Sequence, residues 1–130
     1  METCPDMEID WGDIQRKAGP YPLQAFAFVQ EGLRYTVDSI RTNEPDLPEA
    51  GRHVSGQELC IGLRDYAIKQ YGMLAQTVLE RWKIRRTEDF GRIVFALVEA
   101  GLMSKTDDDS LEDFRGVFDF GEAFQGVEVG

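Results

Sequence analysis

Phe26, Val29, Leu33, Val37 and Ile40 recur at steps of three and four, an apolar stripe about fourteen residues long. A strand cannot keep such a stripe on one side, because its side chains alternate between faces. The segment is therefore expected as an amphipathic helix, and the rest of the fold must supply a core for it. Gly19-Pro20-Tyr21-Pro22 precedes it and breaks the chain, with Pro22 suited to a first helical turn. Upstream, residues 7–18 read as a short helix capped by Asp6 and stopped by Gly19. Phe28 and Tyr35 fall off the apolar stripe, either to meet a second neighbour or to be exposed.

Residues 42–53 form a polar loop with two prolines, and the next helix announces its own start. Ser55 and Glu58 have capping-box spacing, while Val54 and Leu59 occupy the staple positions around them. Leu59, Leu63, Tyr66 and Ala67 are its expected buried face, and Gly72 its end. A shorter helix over residues 73–82 places Leu74, Val78 and Trp82 at four-residue steps. Thr87 is expected to cap a fifth helix whose inward side is Phe90, Val94, Leu97 and Val98. Gly101 suits the left-handed position after that helix, with Leu102 placed to touch Leu97. Beyond it the period changes. Residues 102–106 and 117–120 read as two strands around an aspartate turn, with Phe118 and Phe120 on one face. Ser110 and Asp113, between them, have cap spacing for a single helical turn.

The fold class expected is mainly α (α+β), with N-terminal helices packed on a winged-helix-like helical unit that ends in a C-terminal β-hairpin. Its parts within one domain are the N-terminal helices at 1–41, the loop at 42–53, the winged-helix-like unit at 54–124 and a loose tail at 125–130. A length of 130 residues is close to the usual size of one domain, and 42% apolar residues with eight phenylalanines supply its core. No apolar stretch approaches a membrane span, and the acidic start Met-Glu-Thr-Cys-Pro-Asp does not resemble a signal peptide. Two cysteines, Cys4 and Cys60, fit a reducing cytoplasm, with Cys60 read as a small core residue.

The segments Arg52-His53-Val54-Ser55-Gly56-Gln57-Glu58-Leu59, Thr87-Glu88-Asp89-Phe90-Gly91, Val98-Glu99-Ala100-Gly101-Leu102 and Asp113-Phe114 through Phe118-Asp119-Phe120 are similar to an uncharacterised bacterial protein family described chiefly from planctomycetes and verrucomicrobia. Tyr21 to Tyr35 resembles it too, so the likeness covers most of residues 20–124. The resemblance implies a bacterial cytoplasmic protein and carries no activity, ligand or catalytic residue.

The remaining chemistry is read from the residues themselves. His53 is the single histidine, and Cys60 seven positions on matches no zinc spacing, so His53 reads as a loop hydrogen-bonder. Asp89-Phe90-Gly91 spells a kinase magnesium motif but opens a helix, without a phosphate loop elsewhere. The run Asp107, Asp108, Asp109, Glu112 and Asp113 lacks the central glycine of a calcium loop and reads as a solvated turn. No nucleophile elbow, P-loop or dinucleotide fingerprint occurs, so no catalytic, metal or cofactor residue is assigned. An enzyme would instead need a pocket holding carboxylates with raised pKa values.

Charge singles out one place. The chain carries a net charge of −10, yet Arg81, Lys83, Arg85 and Arg86 cluster between the fourth and fifth helices. Some of these cations are expected to pair with Asp107 to Asp113, or with Glu88 and Asp89. The favoured reading is a non-catalytic protein-interaction module, binding a protein partner or itself, with this basic turn as its candidate partner-binding site. The alternative is a nucleic-acid-binding winged helix using the same turn. Acidic Glu88, Asp89 and Glu99 on the following helix and three aspartates on the expected wing argue against it, because phosphates repel them.

Overall fold

Gly19 turns the chain through a left-handed conformation (φ 123°) and separates α1 (Trp11–Ala18) from α2 (Leu23–Asn43). The computed structural model describes residues 1–3, 11–43 and 54–125, so Cys4, Asp6, the first residues of the expected N-terminal helix, most of the 42–53 loop with His53, and the end of the tail lie outside the described residues. Phe26, Val29 and Leu33 are fully buried, each such side chain contributing about 1.5–3 kcal/mol, while Val37 and Ile40 are half-buried. Phe28 does meet a second neighbour: its ring lies 5.5 Å from Tyr66 and 5.6 Å from Trp82.

Tyr66 belongs to α3 (Gly56–Tyr71), which begins where its local signals place it. Ser55 Oγ accepts from the Glu58 amide at 3.1 Å, and the Glu58 carboxylate accepts from the Ser55 amide at 3.1 Å. Val54 and Leu59 are both buried. α2 and α3 form the most extensive helix contact of the fold, and glycine lets them approach. A Cβ on Gly62 would lie 2.7 Å from Thr36 Cγ2 and 2.8 Å from Thr36 Cβ, and closer still to Thr36 Oγ1.

A 3₁₀ turn, Gly72–Leu74, leads into α4 (Ala75–Arg81). Leu74, Val78 and Trp82, at four-residue steps, do not form the inner face here. Ala75 and Leu79 are buried, whereas Leu74 is exposed. The tight turn rotates the helix, and the small Ala75 lets it settle on α3. The next helix, α5 (Thr87–Glu99), starts at the expected cap residue itself, one residue early. Thr87 is inside it, and Arg86 is the capping position, its amide bonded to the Asp89 carboxylate at 3.0 Å. α5 is the central helix: Phe90, Ile93, Val94 and Leu97 are buried, and α1, α2 and α3 all pack against it. It closes as expected, with Gly101 left-handed (φ 82°) and the Leu102 amide donating to Leu97 O at 2.9 Å.

The C-terminal hairpin is replaced by a different pairing. β2 (Met103–Ser104) does form, but its partner is β1 (Glu2–Thr3), antiparallel with Glu2 opposite Ser104. Residues 117–119 lead instead into the short α6 (Phe120–Ala123), capped by Asp119, whose carboxylate accepts from the Glu122 amide at 3.1 Å. Phe118, Phe120 and Phe124 reach one another by this helical turn, with Phe118 and Phe120 stacked at 5.5 Å. Ser110 and Asp113 do bracket a helical turn, a 3₁₀ segment at Leu111–Phe114. The three-helix order of a winged helix is therefore present at α3, α4 and α5, but the residues expected to build its wing do not pair with each other. The protein is mainly helical, and one apolar cluster extends from Met1 to Phe124, joining the N-terminal helices to the rest. Among the described residues no helix is long and apolar enough to cross a membrane.

Candidate interaction surface

The basic turn hangs on a backbone with its hydrogen bonds made. After Arg81 the Lys83 amide donates to Glu80 O at 3.0 Å and the Ile84 amide to Leu79 O at 2.9 Å. This doubled pattern is the Schellman closure of a helix, in which the middle residue must be left-handed. That residue is Lys83, at φ 67°, the non-glycine residue of positive φ among the described residues. Ile84 is fully buried and pins the turn to the core. The Arg85 and Arg86 amides then donate to Asp89 Oδ2 at 2.8 and 3.0 Å. Asp89 Oδ1 accepts from the Tyr21 hydroxyl at 2.6 Å, tying the turn to the α1–α2 connection. Burial first, and then the Asp89 bond, push the Tyr21 hydroxyl up to about 12.

With the backbone satisfied, the side chains of Arg81, Lys83, Arg85 and Arg86 all point to solvent as exposed groups. The expected internal pairing is not what the structure shows. Among the described residues none of the four makes an ion pair; the pairs found are Arg16 and Lys17 with Asp13, Arg64 with Asp65, and Arg115 with Glu112. Asp89 binds the backbone of the turn, not its guanidinium groups. Asp109 is buried and accepts from the Thr106 amide at 2.9 Å. Two of the acids expected to repel a phosphate backbone, Asp89 and Asp109, are thus turned inward.

Glu88 stays beside Arg86 and is held below its usual range. Burial acts to raise it, but bonds from its own amide, the Gly116 amide and the Thr87 hydroxyl, with the Arg86 charge, outweigh that. A carboxylate moved in this direction is not a general acid at neutral pH.

The cations do not stand alone. Met73 and Leu74, each 59% exposed, stand in the 3₁₀ turn that leads into α4, and Arg81 ends that helix. Trp82, next to Arg81, is half-buried, its ring 6.0 Å from Tyr71 and 5.6 Å from Phe28. Exposed apolar side chains thus stand at the start of this short helix and cations at its end. The sequence singles out its cations but not exposed Met73 and Leu74, since Leu74 reads there only as part of a four-residue rhythm.

Other candidate chemistry is accounted for locally. Cys60 is buried, and burial followed by the nearby Glu88 pushes its thiol up to about 12, so it is not a thiolate nucleophile. A cleft of about 240 Å3 between α2 and α3 contains Glu58 and Asp65. Glu58 serves the α3 cap, and Asp65 accepts from Arg64 Nε at 3.1 Å, so both carboxylates are already engaged. Among the described residues no group of three His, Cys, Asp or Glu side chains is placed to hold a metal ion. No family model, curated protein or solved structure matches this chain.

Proposed function

We propose that this chain is a non-catalytic protein-interaction module of a bacterial cytoplasmic protein, with the α4 face and the basic turn as its contact surface. The observation that carries the reading is the placement of Lys83. A left-handed lysine costs about 1–2 kcal/mol relative to a right-handed conformation, and glycine would relieve it. The same closure after α5 does use glycine, at Gly101. The α4 closure instead gives up stability to place a cation beside three further exposed cations, of which Arg86 has Glu88 near it and none makes an ion pair within the described residues. Exposed Met73 and Leu74 give a partner apolar area to bury, and the cations select an acidic one.

The nucleic-acid alternative uses the same cations, and the inward turn of Asp89 and Asp109 removes part of the objection to it. Among the described residues it lacks an exposed stacking platform at the turn, because Trp82 is half-buried against Tyr71 and Phe28. Fluorescence anisotropy with mixed-sequence DNA and RNA at about 50 mM salt separates the two, since counterion release favours association there. A surface built for an acidic protein should show no binding to either. Micromolar binding that disappears in an Arg81→Glu/Arg85→Glu variant moves the assignment to nucleic acid.

A further inference from the structure

A second surface lies along α5, two turns beyond the basic turn. Arg92, Phe95, Ala96 and Glu99 follow the i, i+3, i+4, i+7 spacing of one helix face, left uncovered between Lys17 of α1 and Leu111 of the 3₁₀ segment. Together they frame a cleft of about 240 Å3. Its floor is apolar, with Ala96 buried and Phe95 packed edge-on to Phe114 at 6.2 Å. Its wall is basic on balance, two cations against Glu99: Arg92 is exposed, lies beside the Tyr21 hydroxyl and makes no ion pair among the described residues, and Lys17 reaches only the solvent-exposed Asp13.

Beside this cleft stands a ridge of opposite character. Leu111 projects from it, 50% exposed, with Asp107, Asp108 and Glu112 exposed around it. A basic, apolar-floored cleft and an acidic, leucine-tipped ridge are thus neighbours on one face. A two-fold axis between ridge and cleft lays each ridge in the other copy's cleft, so both contacts form together. We propose that the chain forms an isologous dimer through this face, Leu111 of each copy seating on Phe95 and Ala96 of the other and Glu112 facing Arg92. A second copy is the fitting occupant because the complementary ridge is already present on the same surface. Glu99, one turn past Ala96, sets the orientation by repelling the acidic ridge towards the Arg92 end. A standard interface of about 800 Å2 per partner would take roughly a tenth of the 7729 Å2 surface, leaving the α4 face free. The dimer contact is independent of the role of the basic turn.

Sedimentation equilibrium of the full chain across about 1–100 µM tests it. The mass is expected to rise from 14.7 kDa towards twice that value with a micromolar dissociation constant. Arg92→Glu and Glu112→Arg should each weaken the dimer by about tenfold or more, and the combined variant should restore it, because residue 92 of one copy meets residue 112 of the other. Glu112 gives up only an exposed pair with Arg115, and circular dichroism checks that each variant is folded. A wild-type chain that stays monomeric throughout overturns the proposal. So does a dimer indifferent to both single changes, or one that the combined variant fails to restore.

Discussion

Replacing Lys83 by glycine should make the protein more stable, although it removes a side chain and adds none. Lys83 occupies the left-handed position of the α4 closure at φ 67°, where its Cβ crowds the following carbonyl at a cost of about 1–2 kcal/mol. Glycine relieves that cost but has more freedom to lose on folding, which returns about 0.4–1 kcal/mol. The exposed lysine side chain makes no hydrogen bond or ion pair among the described residues to set against the gain. The net expectation is a stabilisation of about 0.5–1 kcal/mol. The chain contains its own control at the α5 closure. Gly101 stands at φ 82° with nothing within 4 Å of where a Cβ would be, so Gly101→Ala carries only the backbone cost and should destabilise by about 1 kcal/mol. Urea unfolding followed by circular dichroism at one protein concentration measures both, with the m-value as a check that the transition is unchanged. A midpoint lowered by Lys83→Gly as well as by Gly101→Ala would refute the assignment of strain to Lys83. The lysine would then be stabilising the fold, and its placement would say nothing about a partner.

Three further outcomes follow from the packing. Ser55→Ala should cost about 1 kcal/mol, the usual value of an N-cap, and an unchanged urea midpoint would mean that the capping box contributes nothing. Gly62→Ala should cost about 2 kcal/mol or more, because the new methyl meets the Cβ and Cγ2 of buried Thr36, while Gly32→Ala clashes only with a terminal methyl of Leu63, which a rotation about one bond can move, and should cost less. Equal costs in the two variants would refute that account of the α2–α3 crossing. Raising pH should weaken the fold from about pH 9 upwards: the Cys60 thiol is moved from 9.0 to about 12, so its stabilisation is complete below the unfolded value and lost as pH climbs towards the folded one. A thiol reagent at pH 8 should accordingly find Cys60 unreactive in the native protein and reactive in urea.

Much of the fold was legible from local signals. Ser55, Glu58, Val54 and Leu59 lie within six residues of one another, and all four act as the spacing predicts. Gly101 and Leu102 were legible for the same reason. What failed was decided at a distance. The row Leu74, Val78 and Trp82 is a sound helical rhythm, but Gly72–Leu74 tightens into a 3₁₀ turn and the small Ala75, with Leu79, takes the inner face. The alternation at Phe118 and Phe120 fits a strand equally well as the turn that Asp119 caps, and β2 finds its partner about a hundred residues upstream. The candidate surface was half legible. Its cations cluster in sequence, but the Tyr21–Asp89 bond spans 68 residues, and whether an arginine is paired is settled only in three dimensions.

The basic turn, on this account, serves a partner rather than the fold. Equal amounts of the wild-type chain and the Arg81→Glu/Arg85→Glu variant, immobilised and exposed to extract of the native host treated with nuclease, test it most directly when retained proteins are quantified by mass spectrometry. At least one acidic protein should be held by the wild type and lost from the variant, while both baits unfold at the same urea midpoint, since exposed charges of this kind contribute only about 0–1 kcal/mol. Identical protein profiles on the two baits would contradict the account.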